Sequence, residues 1–373
     1  MLTLELRDLD EVLTALANRG YQIVGPTIRD KAIVIDQISS VKDLPGGWTD
    51  LHDPGSYSLK KRKDAAVFGY VVGPFSLKSF LSPPRTRVIA IRKNGKGFER
   101  EPAAPQGEMK PLAFVGARAC DLYALALDDR IFLEGPFPEP CYQRVRSSMF
   151  ILAVDCAQPG GTCFCTSFGY GPKAQKGFDI AVTELCEDGH HVFLARAGSE
   201  RGEEVLASLK LSESSPAEIA AAEQQAREAA SSVPRHVDVA KAAAVLPDLF
   251  DAPAWDDIAK RCLACANCTM VCPTCFCSTV EETTNLTGTS AERWRRWDSC
   301  FTMDFTKVAG GNVRPSTKAR FRQRVMHKFS YWLDQFGSAG CCGCGRCITW
   351  CPAGIDVTAY LEALCAGQGN GTR

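Results

Sequence analysis

The sequence predicts an α+β protein: a mixed α/β domain over residues 1–211, a helical connector over 212–252 and an α-helical domain over 253–373. Three observations carry this expectation. Short β-branched runs alternate with helical patterns and Pro/Gly breaks through the first two hundred residues. An Ala/Glu/Gln-rich stretch with little apolar face follows. Beyond it, apolar residues recur at helical spacing and Cys accumulates.

In chain order, Leu6, Leu9, Val12, Leu13 and Leu16 share one helical face, and Asn18-Arg19-Gly20 stops that helix. Ile33-Val34-Ile35, Val67–Val72 and Val88-Ile89-Ala90-Ile91 read as strands, separated by breakers such as Leu44-Pro45-Gly46-Gly47 and Ser82-Pro83-Pro84. Leu112-Ala113-Phe114-Val115 leads through Gly116-Ala117-Arg118 into a helix ending near Phe132. Phe150–Val154 is expected to be a buried strand, and Phe178–Leu185 with His191–Ala195 a hairpin. Ser215-Pro216-Ala217-Glu218 combines an N-cap Ser, Pro at the first helical position and Glu at the third, and a further helix is expected over Val237–Phe250. Phe321, Val325, Phe329, Trp332 and Phe336 form an apolar stripe, so the segment 273–340 is expected to be largely helical.

With 45% hydrophobic and 23% charged residues, the 373-residue chain has material for ordinary cores. Forty-three basic residues balance forty-three acidic ones, which gives no overall attraction to nucleic acid or anionic lipid. No apolar run reaches a membrane span, and the start of the chain is charged within its first eight residues, so neither membrane nor secretion is expected. Nineteen Cys in such a chain fit a reducing, cytoplasmic setting and bound metal.

The thiols are patterned. Cys262-x2-Cys265-x2-Cys268-x3-Cys272-Pro273 recurs as Cys341-x2-Cys344-x2-Cys347-x3-Cys351-Pro352. Two-residue gaps let three thiolates wrap one small cage, while the fourth points away. In chains with two such runs, the Cys before Pro ligates the other run's [4Fe–4S] cluster. One cluster is therefore expected on Cys262, Cys265, Cys268 and Cys351, and a second on Cys341, Cys344, Cys347 and Cys272. This makes the C-terminal domain an α-helical dicluster ferredoxin module. Structural zinc is the alternative, but zinc usually takes Cys-x2-Cys pairs separated by a loop rather than a triplet followed by x3-Cys-Pro.

A third cluster is expected on Cys120, Cys156, Cys163 and Cys165. Cys120 and Cys156 follow two predicted strands, and Gly160-Gly161 permits tight bends in the loop that carries the other two. Buried free Cys is the competing reading. Cys275, Cys277 and Cys300 either pack near a cluster or form a fourth site, and Cys141, Cys186, Cys342 and Cys365 receive no role. From Phe305 to Leu333 there is no acidic residue, while Arg314, Lys318, Arg320, Arg322, Arg324 and Lys328 are present. That run reads as a solvated face, as a means of raising cluster potentials, or as a docking surface for an acidic partner. No Gly-x-Gly-x-x-Gly, no phosphate-binding loop and no His-Glu-x-x-His occurs, so no substrate site and no catalytic residue is expected in this chain.

Five motifs occur in order: Gly116-Ala117-Arg118-Ala119-Cys120-Asp121-Leu122, Cys163-Phe164-Cys165, Cys272-Pro273-Thr274-Cys275-Phe276-Cys277, Arg296-Trp297-Asp298-Ser299-Cys300 and Val308-Ala309-Gly310-Gly311. Together they resemble the β subunit of cytoplasmic NAD(P)-linked [NiFe] hydrogenases of the sulfhydrogenase type, and the A subunit of anaerobic sulfite reductase is similar. The resemblance runs from about residue 85 to 360. It implies an iron–sulfur electron-transfer subunit of an oxidoreductase complex, docked on a flavin (FAD) diaphorase subunit and working with hydrogenase small and large subunits. Arg314-Pro315 resembles the hydrogenase members more closely. The other readings are the equivalent subunit of a sulfite or sulfur reductase and, from a different class, a zinc-stabilised interaction protein.

Overall fold

The structure is a computed structural model that describes residues 1–71, 73–101, 110–187 and 189–366. Its strands are β1 (Leu2–Leu4), β2 (Gln22–Arg29), β3 (Ala32–Gln37), β4 (Trp48–Asp53), β5 (Ser56–Lys61), β6 (Arg85–Asn94), β7 (Gly97–Glu101), β8 (Leu112–Ala117), β9 (Phe150–Val154), β10 (Ile180–Glu187), β11 (His190–Ala197), β12 (Ser212–Glu213), β13 (Ser278–Thr284) and β14 (Ser290–Trp297). Eight of them form a mixed sheet in the order β12-β1-β11-β10-β9-β8-β2-β3. Its centre is parallel: β2 pairs with β8, β8 with β9 and β9 with β10.

The two faces of these central strands follow the period of two. Ala113, Val115, Phe150, Leu152 and Val154 pack beneath the helix Leu6–Asn18, through its buried Leu9, Val12, Leu13 and Leu16. Phe114, Ile151 and Ala153 pack on the other face against Leu122 and Leu125 of the helix Ala119–Phe132 and Tyr142 and Val145 of the helix Pro140–Ser148. A parallel sheet covered on both faces reads as continuous apolar runs, which is why Phe150–Val154 was legible as buried. Because β8 and β9 run side by side in the same direction, their ends bring Cys120 and Cys156 to one edge of the sheet.

Residues 254–366 contribute the helices Ala254–Arg261 and Val357–Ala366 and a long helical rod, Thr317–Met326, His327–Tyr331 and Trp332–Phe336, whose middle turn is a π-helix. Trp255, Ile258, Phe321, Val325, Phe329, Ile348 and Leu361 form its core, and Phe164 from the N-terminal half is part of that core.

Three expectations change. Val67–Val71 is not a strand, and Val72 lies outside the described residues. Side chains take over the bonds a ladder would supply. The backbone N–H groups of Val67 and Phe68 donate to the Glu184 carboxylate at 2.7 and 2.8 Å, that of Val71 donates to Asp50 at 2.9 Å, and the carbonyls of Phe68 and Tyr70 accept from Arg118 at 2.7 and 3.1 Å. The helix expected over Val237–Phe250 spans Val239–Val245, and Pro247 then opens a 3-10 turn. The segment 273–340 is not mainly helical. It carries the hairpin β13–β14, whose second strand pairs with β6 to give a four-stranded sheet, β13-β14-β6-β7. That sheet joins residues 85–101 to residues 278–297, across the boundary expected at 253. Cross-strand charge pairs such as Arg87–Glu292 and Arg296–Glu281 join its neighbouring strands.

The capping box at the connector is present: Glu218 N–H donates to Ser215 Oγ at 3.2 Å and Ser215 N–H to the Glu218 carboxylate at 2.8 Å. Ser215→Ala is expected to lower stability by about 1 kcal/mol, read as a lower denaturation midpoint at unchanged slope. No helix among the described residues is long and apolar enough to cross a membrane.

Candidate metal centres

The two Cys-rich runs fold alike, and the backbone explains why. Helix Ala254–Arg261 ends at Cys262, and the chain then passes through two left-handed residues, Ala264 (φ +50°) and Ala266 (φ +65°), into the short turn Asn267–Met270. At the equivalent positions of the second run stand Gly343 (φ +61°) and Gly345 (φ +73°), followed by Arg346–Thr349. The Ala264 N–H donates to Cys262 Sγ at 3.4 Å, and the Gly343 N–H donates to Cys341 Sγ at the same distance. Each run thus curls around its own thiols and aims amides at sulfur, an arrangement that favours thiolate. Glycine is needed in the second run for a further reason. A Cβ on Gly343 would lie 2.6 Å from Phe164 O, and one on Gly345 2.4 Å from Thr162 O, so the run packs backbone to backbone on the N-terminal loop.

Cys262, Cys265, Cys268 and Cys351 line one cavity, about 450 Å³ of space between protein atoms, walled by Phe301, Phe321 and Arg324. Cys347 also reaches it. Cys272 lies within electrostatic reach of Cys341, Cys344 and Cys347, just as Cys351 does of Cys262 and Cys268. Each Cys-Pro thiol thus lies near thiols of the other run. Cys120, Cys156, Cys163 and Cys165 also meet, and this third set abuts Cys344 of the second. Among the described residues no three His, Cys, Asp or Glu side chains converge on a site for a single ion.

Burial pushes the thiols of Cys268, Cys165 and Cys341 up to about 12, since a thiolate there has lost its water. Cations stand against this. Lys328 donates to Thr274 Oγ1 at 2.8 Å and Gly340 O at 2.7 Å beside Cys272, Cys275 and Cys341. Arg324 reaches between Cys268 and Cys347, and its Nε has no hydrogen-bond partner. Burial works against the charge of Arg324, and the surrounding thiols outweigh it and raise its pKa.

Within the acid-free segment, residues 306–310 are exposed, whereas the cations of its helical part are largely covered. Arg320, Arg324 and Lys328 are 6, 6 and 5% exposed, and Arg322 donates to Phe250 O at 2.7 Å. For Arg324 and Lys328, the fold supports the reading of positive charge beside the thiol sets.

Sequence reasoning missed several neighbours. Cys342, given no role, touches Cys344 and lies near Cys120. Arg346 and Asp121 form a buried pair at 2.7 Å between the second and third sets, and Arg118 sits at Cys156. Each of the two arginines and Asp121 is within two residues of a Cys in the sequence, which is the signal that could have found them. Cys275 and Cys277 do not join Cys300 as a triplet. Cys275 interacts with Cys272, and Cys277 with Cys300.

Residues 261–355 match the model of a 4Fe-4S dicluster domain. The chain is 34% identical over 293 residues to the sulfhydrogenase 2 subunit beta of Pyrococcus furiosus, covering 78% of this chain and 83% of that protein. No solved structure matches it. The C-terminal half therefore holds two [4Fe–4S] clusters and the protein is an iron–sulfur electron-transfer component of an oxidoreductase. By this likeness over most of its length, the chain belongs to the family of sulfhydrogenase β subunits.

Proposed function

We propose that the chain is the electron-transfer subunit of a cytoplasmic NAD(P)-linked [NiFe] hydrogenase complex, relaying electrons between a flavin (FAD) diaphorase subunit and the hydrogenase small and large subunits. Cys262, Cys265, Cys268 and Cys351 hold one cluster, Cys341, Cys344, Cys347 and Cys272 the second, and Cys120, Cys156, Cys163 and Cys165 a third. Such clusters supply reversible one-electron transfer. The observation that carries the reading is the set of buried cations at the thiol sets. Arg324 and Lys328 form no salt bridge among the described residues, although the buried Asp128 carboxyl lies within electrostatic reach of Lys328, and a buried cation without compensating charge is strongly unfavourable. A cage held by four thiolates is the anion such a pocket fits.

The chain's own groups then have defined tasks. Lys328, Arg324 and Arg346 favour the more negative, reduced state of each site. Phe301 and Phe321 wall the inner side of the first set, and the amides of Ala264 and Gly343 stabilise the thiolates they face. The third set adjoins the second through Cys344, and the second adjoins the first through Arg324 and Cys347, so the three form a continuous series across the molecule.

Cys272→Ala tests the crossed ligation. Its damage is expected at the cluster of Cys341, Cys344 and Cys347, read by electron paramagnetic resonance and iron content of the intact chain. Loss confined to the set of Cys262, Cys265 and Cys268 would refute it. Affinity purification from the native host tests the complex. A nickel-containing chain with a flavoprotein supports the hydrogenase assignment, whereas a sirohaem-containing chain would assign the protein to a sulfite or sulfur reductase.

A further inference from the structure

Cys277 and Cys300 belong to none of the three thiol sets, yet the fold presses them together. Ser278 and Trp297 pair at the open end of the β13–β14 hairpin, and one step beyond, the Asp298 N–H donates to Cys277 O at 2.9 Å. The two chain segments therefore still abut at Cys277. Ser299 then turns the chain back. It is fully buried, its Oγ is 2.6 Å from Thr269 Oγ1, and it accepts from the Phe301 N–H at 3.0 Å. That turn keeps Cys300 close to Cys277, and the two thiols interact electrostatically.

The pair also lies between two of the thiol sets. Thr269 follows Cys268 directly, so Cys300 is connected to a thiol of the first set across a single hydrogen bond, Thr269 Oγ1 to Ser299 Oγ. Cys277 is two residues from Cys275, which interacts with Cys272 of the second set. Two neighbouring thiols on abutting chain segments need little backbone movement to reach the bonded separation of a disulfide.

We propose that Cys277 and Cys300 are a redox-active dithiol that exchanges an electron pair with the two flanking clusters. The inference rests on the electron-carrier reading above. In the reducing direction the S–S bond breaks, two S–H bonds form, and two protons come from water. Two electrons come one each from the reduced clusters of the first and second sets, which are thereby oxidised. The reverse step forms the disulfide and releases the two protons. Such a pair would let a chain of one-electron carriers store the two electrons that a flavin or a hydride donor delivers together.

The test uses the intact, cluster-loaded chain, poised anaerobically at a series of potentials with soluble mediators. Free thiols are alkylated on denaturation and the digest is read by mass spectrometry, while iron and visible absorbance are measured on the same samples. A Cys277–Cys300 cross-linked peptide that appears at oxidising poise and vanishes at reducing poise, with a two-electron dependence, is the expected result. Alkylation of both thiols at every potential, while the visible absorbance bleaches and recovers, would overturn the proposal. So would loss of one cluster's iron in Cys300→Ser, since the pair would then be ligands. A colourless chain without iron overturns the electron-carrier reading itself, an outcome the iron measurement separates from the other two.

Discussion

Gly345→Ala is expected to destabilise the protein by about 3–5 kcal/mol and to release iron from the second and third thiol sets together. Two effects add. The residue sits at φ +73°, where a side chain is strained, and its new Cβ would lie 2.4 Å from Thr162 O and 2.5 Å from Thr162 Oγ1. Neither neighbour can swing away. Thr162 is buried and its hydroxyl is 2.7 Å from Thr349 Oγ1, which is itself 3.2 Å from His52 Nδ1. The loop 160–165 and the second run must therefore separate as backbones, and that loop carries Cys163 and Cys165. Ala266 at the same place in the first run is the control. It already holds an alanine at φ +65°, and Ala266→Gly is expected to change stability by no more than about 1 kcal/mol. Denaturation curves with iron counts on both variants decide the matter. Wild-type stability in Gly345→Ala would mean that the run does not rest on that loop.

The parts of this molecule that were legible in the sequence are those set by local rules. The thiol runs, the helix Leu6–Asn18, the Ser215 cap and the buried strand Phe150–Val154 each follow from spacing or from a capping residue a few positions away. The meeting of Cys120 with Cys156 was readable too, because parallel neighbouring strands put their ends on one edge. What escaped depends on partners distant in the chain. Val67–Val71 looked like a strand because its apolar pattern is one; the carboxylates of Asp50 and Glu184 and the guanidinium of Arg118 that hold it irregular are scattered over more than a hundred residues. The hairpin β13–β14 is rich in charge and Thr, and what makes it a sheet is its pairing with β6. The basic segment misled most. A run of cations without acids resembles a solvated surface when the anion it faces is a set of thiolates from elsewhere in the chain.

Arg324→Gln is expected to move the midpoint potentials of both C-terminal clusters to more negative values, because the added electron loses a buried positive charge that lies beside both thiol sets. For a charge about 6 Å away at an effective dielectric constant of about 20, the lost attraction is about 2–3 kcal/mol, on the order of 100 mV for one electron. The effect should fall on both clusters, since Arg324 lies beside Cys268 of one set and Cys347 and Cys272 of the other. The site on Cys120, Cys156, Cys163 and Cys165, which has Arg118 and Arg346 as its own cations, should shift far less. Arg324→Lys keeps the charge but loses the planar fork, so a smaller shift is expected there. Arg324→Glu would place a buried negative charge among thiolates, and loss of the folded state is the expected outcome. Redox titrations followed by electron paramagnetic resonance on the Gln and Lys variants separate these cases. Unchanged midpoints in a folded Gln variant would show that the charge of Arg324 is balanced elsewhere, and the buried cations would then serve packing rather than the clusters.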